Sequence, residues 1–222
     1  MLTKIIGMNW LCESGIMAAV RLPAIEKCLE TAKALFAGGV KVIEFSMVMP
    51  DCLKAIRQVK DEMGDSIYLG IGTVLDGETA NAGIQAGADF ITSPVVNEGI
   101  MKVAHRHEKL AAPGAMTPNE ILTAYELGAD IVKVFPGGIL GAEYIKGILA
   151  PLPHIPLMPD GGVTLQNAGE LILAGSSALG VCSKLARVDL VQQNKFDEIT
   201  RLALSFIEKV KTAKRMKRSK NV

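Results

Sequence analysis

The sequence is short of the features that mark several large classes of protein. No run approaches the roughly 18 consecutive apolar residues that a membrane span needs, and the opening MLTKIIGMNWLCESG has no secretory apolar core. Charge of one sign is missing too: 24 Lys and Arg stand against 23 Asp and Glu, a formal net charge of +1. No global field therefore favours nucleic acid or a membrane surface as partner. The one charged run, KTAKRMKRSK at 211–220, reads as a frayed, solvated end with a disordered tail over 214–222, although a basic tail can also dock on anionic partners.

Metal and redox patterns are absent as well. Cys12, Cys28, Cys52 and Cys182 have neither ligand nor redox spacing, which suits a reducing cytoplasm. His105 and His107 would point in different directions on a helix, with no third ligand nearby, so no metal is expected. There is no GxGxxG after the first strand, where Arg21-Leu22-Pro23-Ala24 stands, and this argues against a dinucleotide fold. With no linker or low-complexity stretch, the 222 residues read as one domain.

What is present is a repeat. An amphipathic helix closes on glycine and a short β-branched strand follows, at Gly39, Gly64, Gly87, Gly128 and Gly175. Glycine suits the helix end because it takes the left-handed conformation without a Cβ penalty. The gaps of 25, 23, 41 and 47 residues read as one, one, two and two βα units. Candidate strands are Ile16–Arg21, Val40–Ser46, Tyr68–Thr73, Phe90–Ser93, Leu110–Pro113, Ile131–Phe135, Pro156–Pro159 and Ala178–Val181, with a last helix over Phe196–Lys211. Residues 1–15 read as a short preceding helix. The apolar fraction of 49% fits parallel strands buried on both faces. Eight such units predict an α/β fold, a closed (β/α)8 barrel of TIM type.

Active sites of such barrels lie at the C-terminal ends of the strands. The polar residues there are Arg21, Glu44, Ser46, Thr73, Ser93, Lys133, Asp160 and Ser183. Lys133 sits inside the apolar run IVKVFP, where an ammonium is costly unless it is paired or its pKa falls. A depressed pKa would supply the free amine of a Schiff-base nucleophile; a structural ion pair with Glu44 is the alternative. Glu44 is again a lone charge in a strand, VIEFS, and its alternation points it inward beside Lys133 as a proton carrier. Gly161-Gly162 and Gly180-Val181-Cys182-Ser183 fall in the two loops where barrels often bind phosphate, though tight turns also need such glycines. Arg21 is the guanidinium suited to a carboxylate.

At these residues the chain resembles the 2-keto-3-deoxy-6-phosphogluconate (KDPG) / 4-hydroxy-2-oxoglutarate (KHG) aldolase family, class I. The likeness covers about residues 14 to 210, through AGGVKVIEFSMVMP (37–50), GIGTV (70–74), SP (93–94), PGAMTP (113–118), VKVFPG (132–137), PDGGV (159–163) and GVCS (180–183). It implies that Lys133 forms an imine with the C2 ketone and that Glu44 moves protons. It also implies that Thr73 and Arg21 hold the pyruvyl carboxylate, Pro94 and Phe135 shape the pocket, and Gly161, Gly162 and Ser183 receive a distal phosphate. No cofactor is implied, because the iminium itself is the electron sink. The implied partners are a small 2-keto acid, pyruvate and two further copies of the chain in a homotrimer.

Three positions depart from the family pattern. Val48 stands where many members carry an arginine after the glutamate, a role open to Arg21. Asp160 replaces the threonine of PTGG; it would face the distal anion unfavourably, bond a substrate hydroxyl or cap the next turn. Cys182 replaces a glycine of the phosphate loop. The last two weigh against a phosphorylated substrate. Competing readings are a phosphosugar epimerase, disfavoured because His105, His107 and His154 are not at strand ends, and a non-catalytic barrel, disfavoured by Lys133 and Glu44.

Overall fold

In a strand, successive side chains point to opposite faces, and here the two faces have separate fates. Ile16, Ala18, Val20, Ile43, Phe45, Leu69 and Ile71 pack outward against helices in one apolar cluster. Met17, Val42, Tyr68, Phe90, Leu110, Ile131, Met158 and Ala178 pack against one another on the concave face in a second. The computed structural model, which describes residues 2–220, builds these strands into an α/β fold.

Helix α1 (Leu2–Ser14) leads into β1 (Ile16–Val20), α2 (Cys28–Ala37), β2 (Val42–Ser46), α3 (Cys52–Met63), β3 (Tyr68–Gly72) and α4 (Gly77–Gln85). There follow β4 (Phe90–Thr92), α5 (Glu98–Arg106), β5 (Leu110–Ala112), β6 (Gly114–Ala115), α6 (Pro118–Glu126) and β7 (Val132–Val134). The chain continues through α7 (Gly137–Leu149), β8 (Leu157–Pro159), α8 (Ala168–Leu173), β9 (Leu179–Val181), α9 (Val188–Gln192) and α10 (Phe196–Lys220). All five glycines read as helix closures have positive φ, from 53° at Gly64 to 119° at Gly175.

The ladders between these strands are parallel. Instead of one unbroken set of eight, hydrogen bonding divides them into a sheet of six, β5-β4-β3-β2-β1-β9, and one of three, β6-β7-β8. Pro113, which separates β5 from β6 along the chain, is the physical reason at one seam: with no N–H it cannot donate to the neighbouring strand. Its carbonyl still accepts from Lys133 N at 2.9 Å. At the other seam β8 and β9 are joined by a single bridge, Asp160 to Gly180.

The predicted disordered tail over 214–222 is helical as far as Lys220, because Val210 and Ala213 still bury an apolar face and Lys214 donates to the Cys12 carbonyl. Residues 221–222 lie outside the described residues. At the opposite end, α1 lays Leu11 into the concave cluster, with Met8 and Trp10 at its edge.

Candidate active site

Lys133 is the central residue of β7 and only 2% exposed. Its register partner across β7 and β8 is Met158, a concave-face residue, so Lys133 points inward too. Asp160 lies two residues beyond Met158 on the same face, and its N–H donates to the Val134 carbonyl at 2.9 Å. Register thus sets the two side chains together: Lys133 Nζ is 2.6 Å from Asp160 Oδ2. The ammonium also stands 5.4 Å from the centroid of the Phe135 ring, within reach of a cation–π attraction.

Glu44 comes from β2 and is fully buried. Thr92 at the end of β4 donates to its Oε2 at 2.5 Å, while Oε1 has no hydrogen-bond partner. Gly72 makes room for it, since a Cβ there would lie 1.8 Å from Glu44 Oε1. Thr92 is the functional candidate missed in the sequence, where Ser93 marks the end of the fourth strand. A shift of one residue changes the face, and counting by twos from Phe90 would have selected Thr92.

The electrostatics correct one expectation. Burial does pull the Lys133 pKa down, but the charges of Glu44 and Asp160 and the Asp160 hydrogen bond outweigh it, holding the amine above the ordinary lysine value. Glu44 moves upward as well, driven first by burial and also by Asp160, against the opposing pull of Lys133, Thr92 and Arg21. One ammonium therefore meets two carboxylates. Asp160 makes the direct ion pair, and Glu44 is the carboxyl pushed toward its neutral form. Burial also raises the Cys182 thiol, which keeps it protonated near neutral pH.

The remaining candidates are arranged around this cluster. Arg21 is exposed just past β1 and acts electrostatically on Glu44, Lys133 and Cys182. Thr73 follows β3 with φ 58° and places Oγ1 2.6 Å from Ser46 Oγ. Pro94 and Phe135 share a pocket of about 400 Å³ with Gly114, Met116 and Glu120. Gly161 and Gly162 have φ of 76° and 87°, and a Cβ on Gly161 would meet the Phe135 ring at 2.9 Å. Asn167 Nδ2 donates to the Gly162 carbonyl at 2.9 Å and ties down that loop. Ser183 stands exposed in the turn after β9. Asp160 turns inward onto Lys133, with Oδ1 accepting from Gly161 N at 2.6 Å, and does not face outward into the loop.

Comparison with known proteins bears on the family. The family of KDPG and KHG aldolases matches residues 8–202. The 2-dehydro-3-deoxy-6-phosphogalactonate aldolase of Escherichia coli K12 is 31% identical over 181 residues, 81% of this chain and 88% of that protein. The 2-dehydro-3-deoxy-phosphogluconate aldolase of Pseudomonas aeruginosa PAO1 is 32% identical over 171 residues, 76% of this chain and 77% of that one. Among solved structures, the KDPG aldolase of Legionella pneumophila, with pyruvate captured as a covalent carbinolamine, superposes with a TM-score of 0.82 at 25% identity, covering 90% of this chain and 97% of that one. No helix among the described residues is long and apolar enough to cross a membrane. By the extent of these matches, the chain belongs to the KDPG and KHG aldolase family of carbon–carbon lyases.

Proposed function

We propose that this chain is a class I aldolase that cleaves a 2-keto-3-deoxy acid to pyruvate and an aldehyde through a Schiff base on Lys133. The observation that carries the reading is a lysine amine buried at the strand ends against carboxylates, in a family with a member that captures pyruvate as a carbinolamine. Lys133 Nζ attacks the C2 ketone. The resulting iminium draws electrons from the C3–C4 bond, which breaks to leave an enamine and an aldehyde. Glu44 relays a proton from nitrogen to oxygen as the carbinolamine forms, takes the C4 hydroxyl proton as the C3–C4 bond breaks and returns it to the enamine carbon, a task that suits a carboxyl whose pKa burial raises.

Arg21 and Thr73 hold the pyruvyl carboxylate, and Pro94 and Phe135 wall the imine. Gly161, Gly162 and Ser183 take the distal end of the substrate. With Asp160 engaged by Lys133, its charge is not aimed at that end, and the objection to a phosphorylated substrate weakens. Continuity through Pro113 and the Asp160–Gly180 bridge support one closed (β/α)8 barrel as a single domain. We assign it to the cytoplasm as a homotrimer, for which sedimentation should give three times the 23.6 kDa chain mass.

The test is reductive trapping. Pyruvate with borohydride should leave a covalent adduct on Lys133, and Lys133→Ala should lose both adduct and aldol cleavage. A variant that still cleaves would remove the proposal. Comparing kcat/KM for phosphorylated and unphosphorylated 2-keto-3-deoxy acids then decides the distal group.

A further inference from the structure

Two carboxylates crowd one amine in this site, and the reading above gives work to only one of them. The nearer is the other one. Lys133 Nζ lies 2.6 Å from Asp160 Oδ2, with both side chains almost wholly withdrawn from solvent. Glu44 is held by Thr92 on Oε2. Asp160 is itself fixed, by the Gly161 N–H on Oδ1 and by Gly180, where a Cβ would come within 2.6 Å of its Cγ. The proton on the attacking nitrogen therefore has an immediate acceptor, and it is not Glu44.

We propose that Asp160 is a second catalytic carboxylate, the group that takes the Lys133 proton before attack and stays on as counter-ion of the iminium. This rests on the Schiff-base reading of Lys133. Glu44 from β2, Asp160 from the end of β8 and Arg21 from beyond β1 act electrostatically on the amine, and the amine acts on Cys182 beyond β9. A guanidinium is no proton carrier and the Cys182 thiol is pushed up by burial, so the two carboxyls are left to carry protons. Transfer from Lys133 to Asp160 also converts two buried charges into a neutral amine and a neutral acid. Burial favours that neutral pair, against the mutual attraction that holds the resting amine protonated.

The protons balance over the whole sequence. Lys133 gives one proton to Asp160, and its lone pair then forms the bond to C2 as the carbonyl π pair moves to oxygen. Glu44 relays one proton from the nitrogen to that oxygen. The hydroxyl takes the proton from Asp160 as the C–O bond breaks, and water leaves. Of the three ammonium protons one remains on the iminium, and the number equivalent to the other two departs with the oxygen. Asp160 ends ionised beside a cation, as it began.

The experiment measures the rate of pyruvate–borohydride labelling at Lys133 in the full chain, across the neutral and mildly alkaline range. Asp160→Asn should slow labelling by roughly 100-fold, a usual loss for a missing acid–base group. Added formate should restore part of the rate to Asp160→Ala. If Asp160 merely pins the proton, its removal frees the amine and labelling speeds up. A rate equal to or above the unsubstituted protein's, with no response to formate, overturns the proposal. Should Asp160→Asn not fold, Asp160→Thr, with the residue of the family pattern, is read by the same criterion. Unsubstituted protein that never labels on Lys133 refutes the Schiff-base reading instead, so the two failures are distinct.

Discussion

Glu44 concentrates the conflict between stability and chemistry in one side chain. Its carboxyl is fully buried and raised in pKa, chiefly by that burial, so ionising it costs more in the folded chain than in the unfolded one. The sign follows directly. A group raised on folding contributes stability that is complete below its unfolded value, about 4.3 for Glu. The contribution is lost as pH rises through the folded value. Glu44→Gln cannot ionise, so its melting temperature should gain on the unsubstituted protein as pH rises across that window. A gap that stays constant with pH would show that the ionisation of Glu44 does not govern it. In the same variant kcat should fall further than pyruvate affinity does, and equal losses would mark the residue as structural. Lys133 and Glu44 are legible in sequence because a lone charge in an apolar strand is an anomaly. Thr92 is not, since a threonine suits any strand and only its contact with Glu44 gives it meaning.

Among the elements, β3 shows how a strand is shaped by its neighbour. Gly72 ends it opposite Ser46 in register, and its missing side chain is space that Glu44 occupies. Gly72→Ala would put a Cβ where Oε1 lies, so the carboxylate must move. We expect kcat to drop about tenfold or more, as misplacing a catalytic group does, and a variant with unchanged kcat would show that the carboxylate's position is not critical. Helix α6 illustrates a local signal instead. Thr117 accepts from Glu120 N at 3.3 Å and Glu120 Oε2 accepts from Thr117 N at 2.8 Å, a reciprocal cap with Pro118 in the first turn. Thr117→Ala should cost about 1 kcal/mol in urea unfolding, and no measurable loss would mean that water replaces the cap. The helix-closing glycines placed the strands well, because backbone conformation there is a local requirement. The break at Pro113 and helix α9 were not foreseen: the first depends on which neighbour needs an N–H, and the second is barely more than a turn.

Across the whole molecule the strands divide their concave face by height. Toward their N-terminal ends lie Met17, Val42, Tyr68, Phe90 and Ile131, closed off by Leu11 of α1. Toward their C-terminal ends stand Glu44, Thr92, Lys133 and Asp160. Leu11→Ala opens a cavity in the lower layer and should cost about 2–5 kcal/mol. It should leave the Lys133 labelling rate unchanged, and a large change would tie the two layers together. The sequence by itself determined the βα rhythm, the strand positions, the inward lysine and glutamate and the family, because each follows from periodicity or from side chains at fixed spacing along the chain. Only the tertiary structure decided the partner of Lys133. The sequence offered Glu44, yet the register of β7 against β8 brings Asp160 to 2.6 Å. The charge of Glu44 together with that contact turned an expected depressed amine into a raised one, and no local pattern records it, because ladder register and depth of burial are set between segments and not within them.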